Sequence, residues 1–413
     1  MKTLPSRLAA LLVLGVFMPP LLQVLLQVLV LGILGWKAPN TLRTKPWQAL
    51  SRPAAIQILF FLWIMLSLLW SRNSNEGWIE VQSKLPLLTW PLVFAWATPL
   101  VQNLRQALLR WTWISSASIA ILCVMDVIVR STSPAFWFGD MVYENLARFS
   151  GLHPIYLSVW VLLGMLAYVQ DRVGSADTTQ NRLFHALFLG GSLVFVTQLS
   201  SRMALLTAIL LLGASLLYLY RNRRLRLIYL PAFLGAVLLP LLLIQANSVN
   251  QSRFGEMVNP TGNYQSDRWG GRALRIQKWK HTLDTYQRSP LLGTGAGDFQ
   301  EELLQTYHQK QFQPGLDHRF NSHNQYLQTL ATMGPLGLAL LLLWFLEPLR
   351  WHWQDQYWLG TMAVLLVAAS MMTESMLERQ KGIYIVGLLA NGYFCFRNRT
   401  TTSPHESVAP QTL

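Results

Sequence analysis

Apolar stretches of roughly 15 to 22 residues recur from the N-terminus almost to the C-terminus, near the ~20 residues that carry a helix across ~30 Å of hydrocarbon. In lipid a backbone amide finds no water to bond, so each crossing has to satisfy its own hydrogen bonds, and a segment of that length does so as an α-helix. Twelve such stretches are read, at about 4–18, 21–36, 54–70, 85–101, 109–129, 154–170, 184–200, 203–220, 227–245, 325–346, 357–373 and 383–396. The expectation is an all-α polytopic membrane bundle of about 12 transmembrane helices. Composition agrees: 52% of residues are apolar and 13% charged, where soluble domains carry about 25% charged residues. Leu8 to Trp36 is interrupted only by Pro19 and Pro20 and is read as two spans. Lys2 and Arg7 ahead of an apolar run suit a signal peptide, but no small-x-small cleavage site follows. Cys123 and Cys395 lie inside apolar runs and carry no redox information.

The chain has 33 Lys and Arg against 19 Asp and Glu, a net charge of +14. Lys and Arg resist transfer across the bilayer and collect in short cytoplasmic loops. With the cluster Arg221, Arg223, Arg224 and Arg226 inside, seventeen basic and five acidic residues fall on the cytoplasmic side, which absorbs most of the excess charge without any nucleic-acid partner. Both termini are then cytoplasmic, and the linker from Gln245 to Asn324 is outside. The expected organisation is a bundle of spans 1 to 9 over 1–245, an extracytoplasmic loop over 246–324, three further spans over 325–396 and a disordered tail over 397–413. A loop of that length without a role is uncommon. Within it Ile276, Trp279, Leu283 and Tyr286 recur at helical spacing before Ser289 and Pro290, which predicts an amphipathic helix from about Arg272 to Arg288 lying on the membrane surface. No fixed-period repeat, low-complexity tract or heptad pattern is present.

Chemistry-bearing residues gather on the outer side. His323 stands where the long loop enters a membrane helix, in Asn321-Ser322-His323-Asn324-Gln325-Tyr326-Leu327. With Asn321 or Ser322 as N-cap, the positive end of the helix dipole disfavours imidazolium and leaves a ring able to accept a proton; the plainer alternative is a histidine bonded locally. Arg202 at the junction of two spans, and Arg272 and Arg275 on the amphipathic helix, supply guanidinium groups that bind phosphate bidentately at any working pH, unless they only snorkel to headgroups. Pro290-Leu-Leu-Gly-Thr-Gly-Ala-Gly297 has the glycine density of a phosphate cradle but lacks a leading strand and a P-loop lysine, so it reads as a flexible turn. His308, His318 and His323 do not have the spacing of a helical metal site, and no metal or cofactor is expected. Asp126, deep inside a span, is either an ion-pathway residue or an acid bonded within the bundle.

Ser201-Arg202, then Arg275-x-x-x-Trp279 followed by the 290–299 segment, then Ser322-His323-Asn324-x-Tyr326-Leu327 with Gly334 and Gly337-Leu338, in that order, resemble the O-antigen ligase and polymerase superfamily of bacterial envelope glycosyltransferases. The resemblance covers most of the chain in layout and about 80 residues in motif, and Arg272 and Arg275 both fit the family's arginine on the amphipathic helix. It implies a GT-C-like enzyme of the bacterial inner membrane. That enzyme moves a glycan from undecaprenyl diphosphate to a sugar hydroxyl of lipid A-core on the periplasmic side, inverting configuration and needing no metal. His323 would be the base, Arg202 with Arg275 or Arg272 would hold the diphosphate, and Asn324, Tyr326, Arg148 and Arg319 would support the site. The competing readings are a polymerase with a second lipid-linked repeat as acceptor, a protein-glycosylating ligase, and, from another class, a transporter or flippase with Asp126 as coupling site. Against the last stand the absence of an internal repeat and the crowding of polar residues at one face.

Overall fold

The computed structural model describes residues 3–37, 50–97, 101–131, 140–172, 179–221, 230–247, 250–251, 254–255 and 271–394. Among them there is no strand. The helices are α1 Thr3–Leu14, α2 Pro20–Lys37, α3 Arg52–Leu66, α4 Ser74–Ser83, α5 Pro86–Trp96, α6 Val101–Arg130, α7 Tyr143–Ala147, α8 Pro154–Arg172, α9 Thr179–Gln198, α10 Arg202–Arg221, α11 Leu230–Ala246, α12 Arg272–Tyr286, α13 Phe299–Gln309, α14 Gln313–Asp317, α15 Gln325–Gln354, α16 Trp358–Met371 and α17 Gln380–Leu389. Each expected span falls on one of these. By length and composition Arg52–Leu69, Asn103–Arg130, Pro154–Arg172 and Gln325–Gln354 suffice to cross a membrane, and Leu4–Phe17, Pro20–Trp36, Phe184–Gln198 and Trp358–Met371 are shorter apolar helices. The chain is therefore a helical bundle with the apolar character of a membrane protein. The C-terminal tail and most of 248–270 lie outside the described residues.

The surface supports that class. Along α2, Leu21, Leu22, Leu25, Val28 and Leu29 are all exposed, as are Ile121, Met125 and Val129 on α6. Apolar surface this continuous needs a partner, and lipid supplies one. Inside, α8 packs against α6, α15 against α3, α12 and α16, and α1 against α6. Trp90, Trp160, Trp344, Tyr168 and Tyr384 are fully buried. Several polar groups within the bundle are bonded to one another or to the backbone: Tyr384 donates to the Leu12 carbonyl at 2.9 Å, Gln57 to the Leu87 carbonyl at 2.8 Å, and Asn391 to Gln57 Oε1 at 2.8 Å. Asp126 resolves the same way. Arg130, one turn on, reaches it at 2.8 Å and also donates to Asn145, so a lone coupling acid is replaced by a paired one.

The 290–297 segment is not the flexible turn expected. Pro335 lacks an amide hydrogen and Gly334 takes φ +66°, so α15 is broken there and the carbonyls of Ala331 and Thr332 lose their helical donors. Thr294 and Gly295 supply the missing N–H groups, each at 2.9 Å, and Trp63 Nε1 donates to the Met333 carbonyl at 3.0 Å. The approach is backbone to backbone. A Cβ on Gly334 would stand 2.3 Å from the Leu291 carbonyl oxygen. Asp298 closes the segment by accepting from the backbone N–H groups of Arg72 and Asn73 at 2.7 and 2.8 Å. The three helices α12 to α14 thus sit on the mouth of α3 and α15, around a small core of Phe299, Leu303, Leu304, Tyr307, Phe312 and Ala331.

Candidate active site

The predicted helix on the long loop is α12, two residues shorter than expected at its C-terminal end. Its orientation is the informative part. Ile276 and Leu283, half of the predicted apolar stripe, are exposed, whereas Lys278, His281, Thr282 and Thr285 are buried against the rest of the protein. The helix therefore turns its polar face to the protein and leaves apolar groups outward, as a helix at a lipid interface would. Thr282 Oγ1 bonds Ser322 Oγ at 3.0 Å and Thr285 bonds Thr306 at 2.8 Å, which fixes α12 against the loop leading into α15 and against α13.

That loop is held at unusual geometry. His323 has φ +45°, a left-handed conformation in which a non-glycine residue costs of order 1–3 kcal/mol. Its surroundings hold it there. The His323 amide donates to Asn321 Oδ1 at 3.0 Å, and the Ser322 amide to Gln328 Oε1 at 3.2 Å. Asn324 caps α15 by accepting from the Leu327 amide at 3.1 Å, so the N-cap is Asn324 and not Asn321 or Ser322. A second loop, between α16 and α17, is stapled to the first: the Asn324 amide donates to Ser375 Oγ at 3.2 Å, the Leu377 amide to Gln325 Oε1 at 2.7 Å, and Gln325 Nε2 to Glu378 at 3.1 Å.

The staple brings Glu374 to His323. Its carboxylate lies 3.4 Å from His323 Nδ1, with the Glu374 side chain 4% exposed and the imidazole 24%. Burial opposes the carboxylate charge, but the bond to His323 and the Arg379 guanidinium hold Glu374 well below its ordinary value, so it is ionised. Burial pulls His323 below its ordinary value. Glu374 opposes that pull, and Lys278 and Arg275 reinforce it. The result is a neutral, partly exposed imidazole whose Nδ1 faces a carboxylate and whose Nε2 is left to take a proton, the arrangement of an oriented general base.

Lys278 is the second residue that sequence reading missed. It is 2% exposed, and its ammonium stands 3.9 Å over the Phe320 ring, which in turn meets the His323 ring edge-on at 5.9 Å. Burial and the neighbouring Arg275 bring its pKa down to about 7. A signal existed: Lys278 is one helical turn from Arg275. Glu374 had a weaker one, an acid within the short polar Thr373-Glu374-Ser375 break between two apolar runs.

Of the residues expected at the site, His323 and Arg275 share one electrostatic neighbourhood. Arg272 begins α12, and its side chain lies outside the described residues. Arg202 opens α10, two residues after Ser200, which has φ +50° and is bonded to Asn250, itself bonded to Gln198 at 2.8 Å. α10 packs on α16, the helix that leads to Glu374. Tyr326 ties α15 to α16 by donating to the Ala368 carbonyl at 2.8 Å. Arg319 is engaged by Glu301 at 2.7 Å. Arg148 lines an open groove with Glu144, His153 and Arg379, and the charge of His153 responds to Glu374 and His323, so this groove borders the pair.

A histidine–carboxylate pair at a helix mouth, flanked by arginine and lysine, has the chemistry to deprotonate a hydroxyl beside an anionic group. The O-antigen ligase family model matches residues 185–342, and this match supports assigning the chain to the O-antigen ligase family. The matched stretch includes Arg202, Arg272, Arg275 and His323 but ends before Glu374. No curated protein gives a significant match to the chain.

Proposed function

We propose that this protein is an O-antigen ligase: a glycosyltransferase of the bacterial inner membrane that moves a glycan from undecaprenyl diphosphate to a sugar hydroxyl of lipid A-core in lipopolysaccharide synthesis. The observation that carries the reading is the His323–Glu374 pair with Arg275 and Lys278 beside it, inside or next to the family match. In the proposed arrangement the twelve helical segments cross the membrane, both termini are cytoplasmic, and the 246–324 loop with α12 lies in the periplasm.

In the reaction the acceptor hydroxyl gives its proton to His323 Nε2 as its oxygen bonds the anomeric carbon of the donor. The bond from that carbon to the phosphate oxygen breaks, and the electron pair leaves with the diphosphate. Attack is direct, so configuration inverts. Glu374 keeps Nδ1 protonated and pairs with the imidazolium as it forms. Arg202 and Arg275, or Arg272, bind the diphosphate, and Lys278 adds charge that depends on pH. General-base assistance is typically worth ~10²–10⁴-fold, and fixed charge aimed at a leaving group often contributes more. No metal or organic cofactor has a step in this scheme.

The test is reconstitution of the full-length protein in vesicles with lipid-linked glycan and lipid A-core. Glycan joined to core, abolished by His323→Ala, supports the reading. Elongation of the lipid-linked glycan itself would make the protein a polymerase, and movement of glycolipid without bond formation would make it a transporter.

A further inference from the structure

The loop that carries Glu374 closes on itself as a tight turn. The Met376 amide donates to the Glu374 carbonyl at 3.0 Å and the Glu378 amide to the Ser375 carbonyl at 3.1 Å, so Glu374 and Glu378 are tied through the backbone between them. Met376 and Leu377 are fully buried. Glu374, at one end of this turn, meets His323, and Glu378, at the other, meets a lysine from a distant part of the chain.

That lysine is Lys84, directly after α4. It is 5% exposed, donates to Glu378 Oε2 at 2.9 Å and pairs with Glu80 one helical turn back. Burial opposes the ammonium charge, but Glu378 and Glu80 outweigh it and raise Lys84 above the ordinary lysine value, so the cation persists. The other oxygen of Glu378 accepts from Gln325 Nε2 at 3.1 Å. Gln325 is 1% exposed, and its amide is engaged on both sides: Nε2 also donates to Thr329 Oγ1 at 3.2 Å, and Oε1 accepts from the Leu377 amide at 2.7 Å. A buried amide whose oxygen has to meet an N–H and whose nitrogen has to meet a carboxylate has one orientation open to it.

Lys84, Glu378 and Gln325 therefore join α4, the 374–378 turn and the first residue of α15, two positions after His323. The start of α4 is anchored in turn, because Asp298 holds the amides of Arg72 and Asn73. A buried ion cluster is a poor way to fill space for stability alone, since apolar side chains of similar volume often do as well or better. What it adds is direction: each oxygen of Glu378 has one partner, and each partner belongs to a different element.

We propose that Lys84 is a positioning residue for the base: through Glu378 and Gln325 it sets the turn that presents Glu374 to His323 Nδ1. The proposal deepens the transferase reading above and rests on it for the word base. Lys84 bonds to neither His323 nor Glu374, so it acts only through the turn.

Replacing the ion pair by apolar side chains of similar size, Lys84→Met/Glu378→Met, tests this, because no fully buried charge is then left without its partner. Glu80 is exposed enough to turn to water. A pair that only fills space would leave both the thermal midpoint in detergent and the transfer rate at parental level. A pair that positions Glu374 predicts a folded variant whose kcat, in vesicles with full-length protein, falls by about 10- to 100-fold with both KM values within about two-fold, the cost of misplacing a catalytic group by about an ångström. The loss should vanish in a Glu374→Gln background, where the added substitutions should change kcat by less than about two-fold. Parental kcat, or a loss that adds in full to that of Glu374→Gln, overturns the assignment while leaving the transferase intact. Gln325→Met, which keeps the ion pair and cuts only its link to the turn, should give the same pattern and serves if the double variant fails to fold.

A second measurement needs no transfer: the His323 pKa, read by NMR on full-length protein labelled with ¹⁵N-histidine in nanodiscs, with the signal assigned by its loss in His323→Ala. The charged and titratable groups that face His323 are Glu374, Lys278, Arg275 and His153. Taking a cation away would by its own field raise the imidazole pKa, whereas losing the Glu374 contact lowers it, so the sign separates the two causes. Lys84→Met should lower it by about half a pH unit or more, the direction that Glu374→Gln takes. An unchanged or raised pKa overturns the positioning role. If transfer proves absent while the lowering holds, Lys84 still sets the contact between Glu374 and His323, and the transferase reading falls.

Discussion

Glu374→Gln is the sharpest single perturbation of the proposed base. The substitution keeps the shape of the side chain and removes its charge. In the native protein the carboxylate oxygen lies 3.4 Å from Nδ1, so the imidazolium formed during transfer would pair with a full negative charge. Two unit charges about 4 Å apart interact by roughly 4 kcal/mol at the effective dielectric of about 20 that describes protein sites. Since about 1.4 kcal/mol is a factor of ten in rate, loss of that pairing should lower kcat by about 10³-fold. The pH dependence gives an independent check of sign. Burial already lowers His323, and Glu374 works against that lowering by favouring the charged ring. Removing the carboxylate pushes the imidazole pKa further down, so the acid limb of the rate profile should move to lower pH even as the maximum falls. The assay is initial-rate transfer in vesicles from pH 5 to 8, with variant and parent matched for protein content and thermal stability in detergent. A variant with parental kcat, or one whose acid limb moves toward neutrality, would refute the orienting role of Glu374 and return the pair to a structural contact.

For the unsubstituted protein, transfer should fall as pH drops through the lowered His323 pKa, below the ordinary imidazole value of about 6.5, because the base is then protonated; an acid limb above 6.5 would contradict burial as the dominant influence. Lys278, at about 7, loses its charge as pH rises, so apparent donor affinity should weaken on the alkaline side of neutrality, and Lys278→Arg should abolish that weakening because guanidinium stays charged. Retention of the same pH trend in Lys278→Arg would exclude it as the origin. Arg275→Lys keeps charge but loses the bidentate fork, and should lower kcat/KM for donor by about 10- to 100-fold, a loss of roughly 1.4–3 kcal/mol; unchanged donor kinetics would make Arg275 a headgroup contact. Gly334→Ala should destabilise the protein by more than about 3 kcal/mol, since positive φ and overlap with Leu291 both oppose it, and thermal unfolding in detergent measures this. A parental midpoint would mean that the 290–297 segment can move aside.

The helices were legible because length and hydropathy are local properties. A long apolar run closes its own hydrogen bonds as a helix whatever it packs against, and all twelve runs fall on helices, four of them long and apolar enough to cross a membrane. The mouth of the bundle was legible only where one side chain suffices to state the chemistry. His323 and Arg275 could be named from residue type, position and motif, and the apolar stripe of α12 put that helix on the membrane surface. Which polar side chains it would bury could not be read, and only the bundle beneath it decides that Lys278, Thr282 and Thr285 go inward. Glu374 carried only a weak signal for a related reason. It lies 51 residues from His323, and what joins them is a set of bonds from the Asn324 and Leu377 amides to the Ser375 and Gln325 side chains that no periodicity encodes. The same bonds explain why the loop tolerates a left-handed histidine. Strain at one residue persists when neighbours over-determine it, and here four amides from Ser322 to Asn324 and at Leu377 each have a fixed acceptor. A base held at fixed orientation needs that rigidity, since a free imidazole on a loop would find the acceptor proton in only a fraction of its rotamers. The two loops therefore act as one element: substitutions that loosen the 374–378 loop should lower transfer as severely as substitutions next to His323. Ser375→Ala tests this by removing one staple without touching any charge.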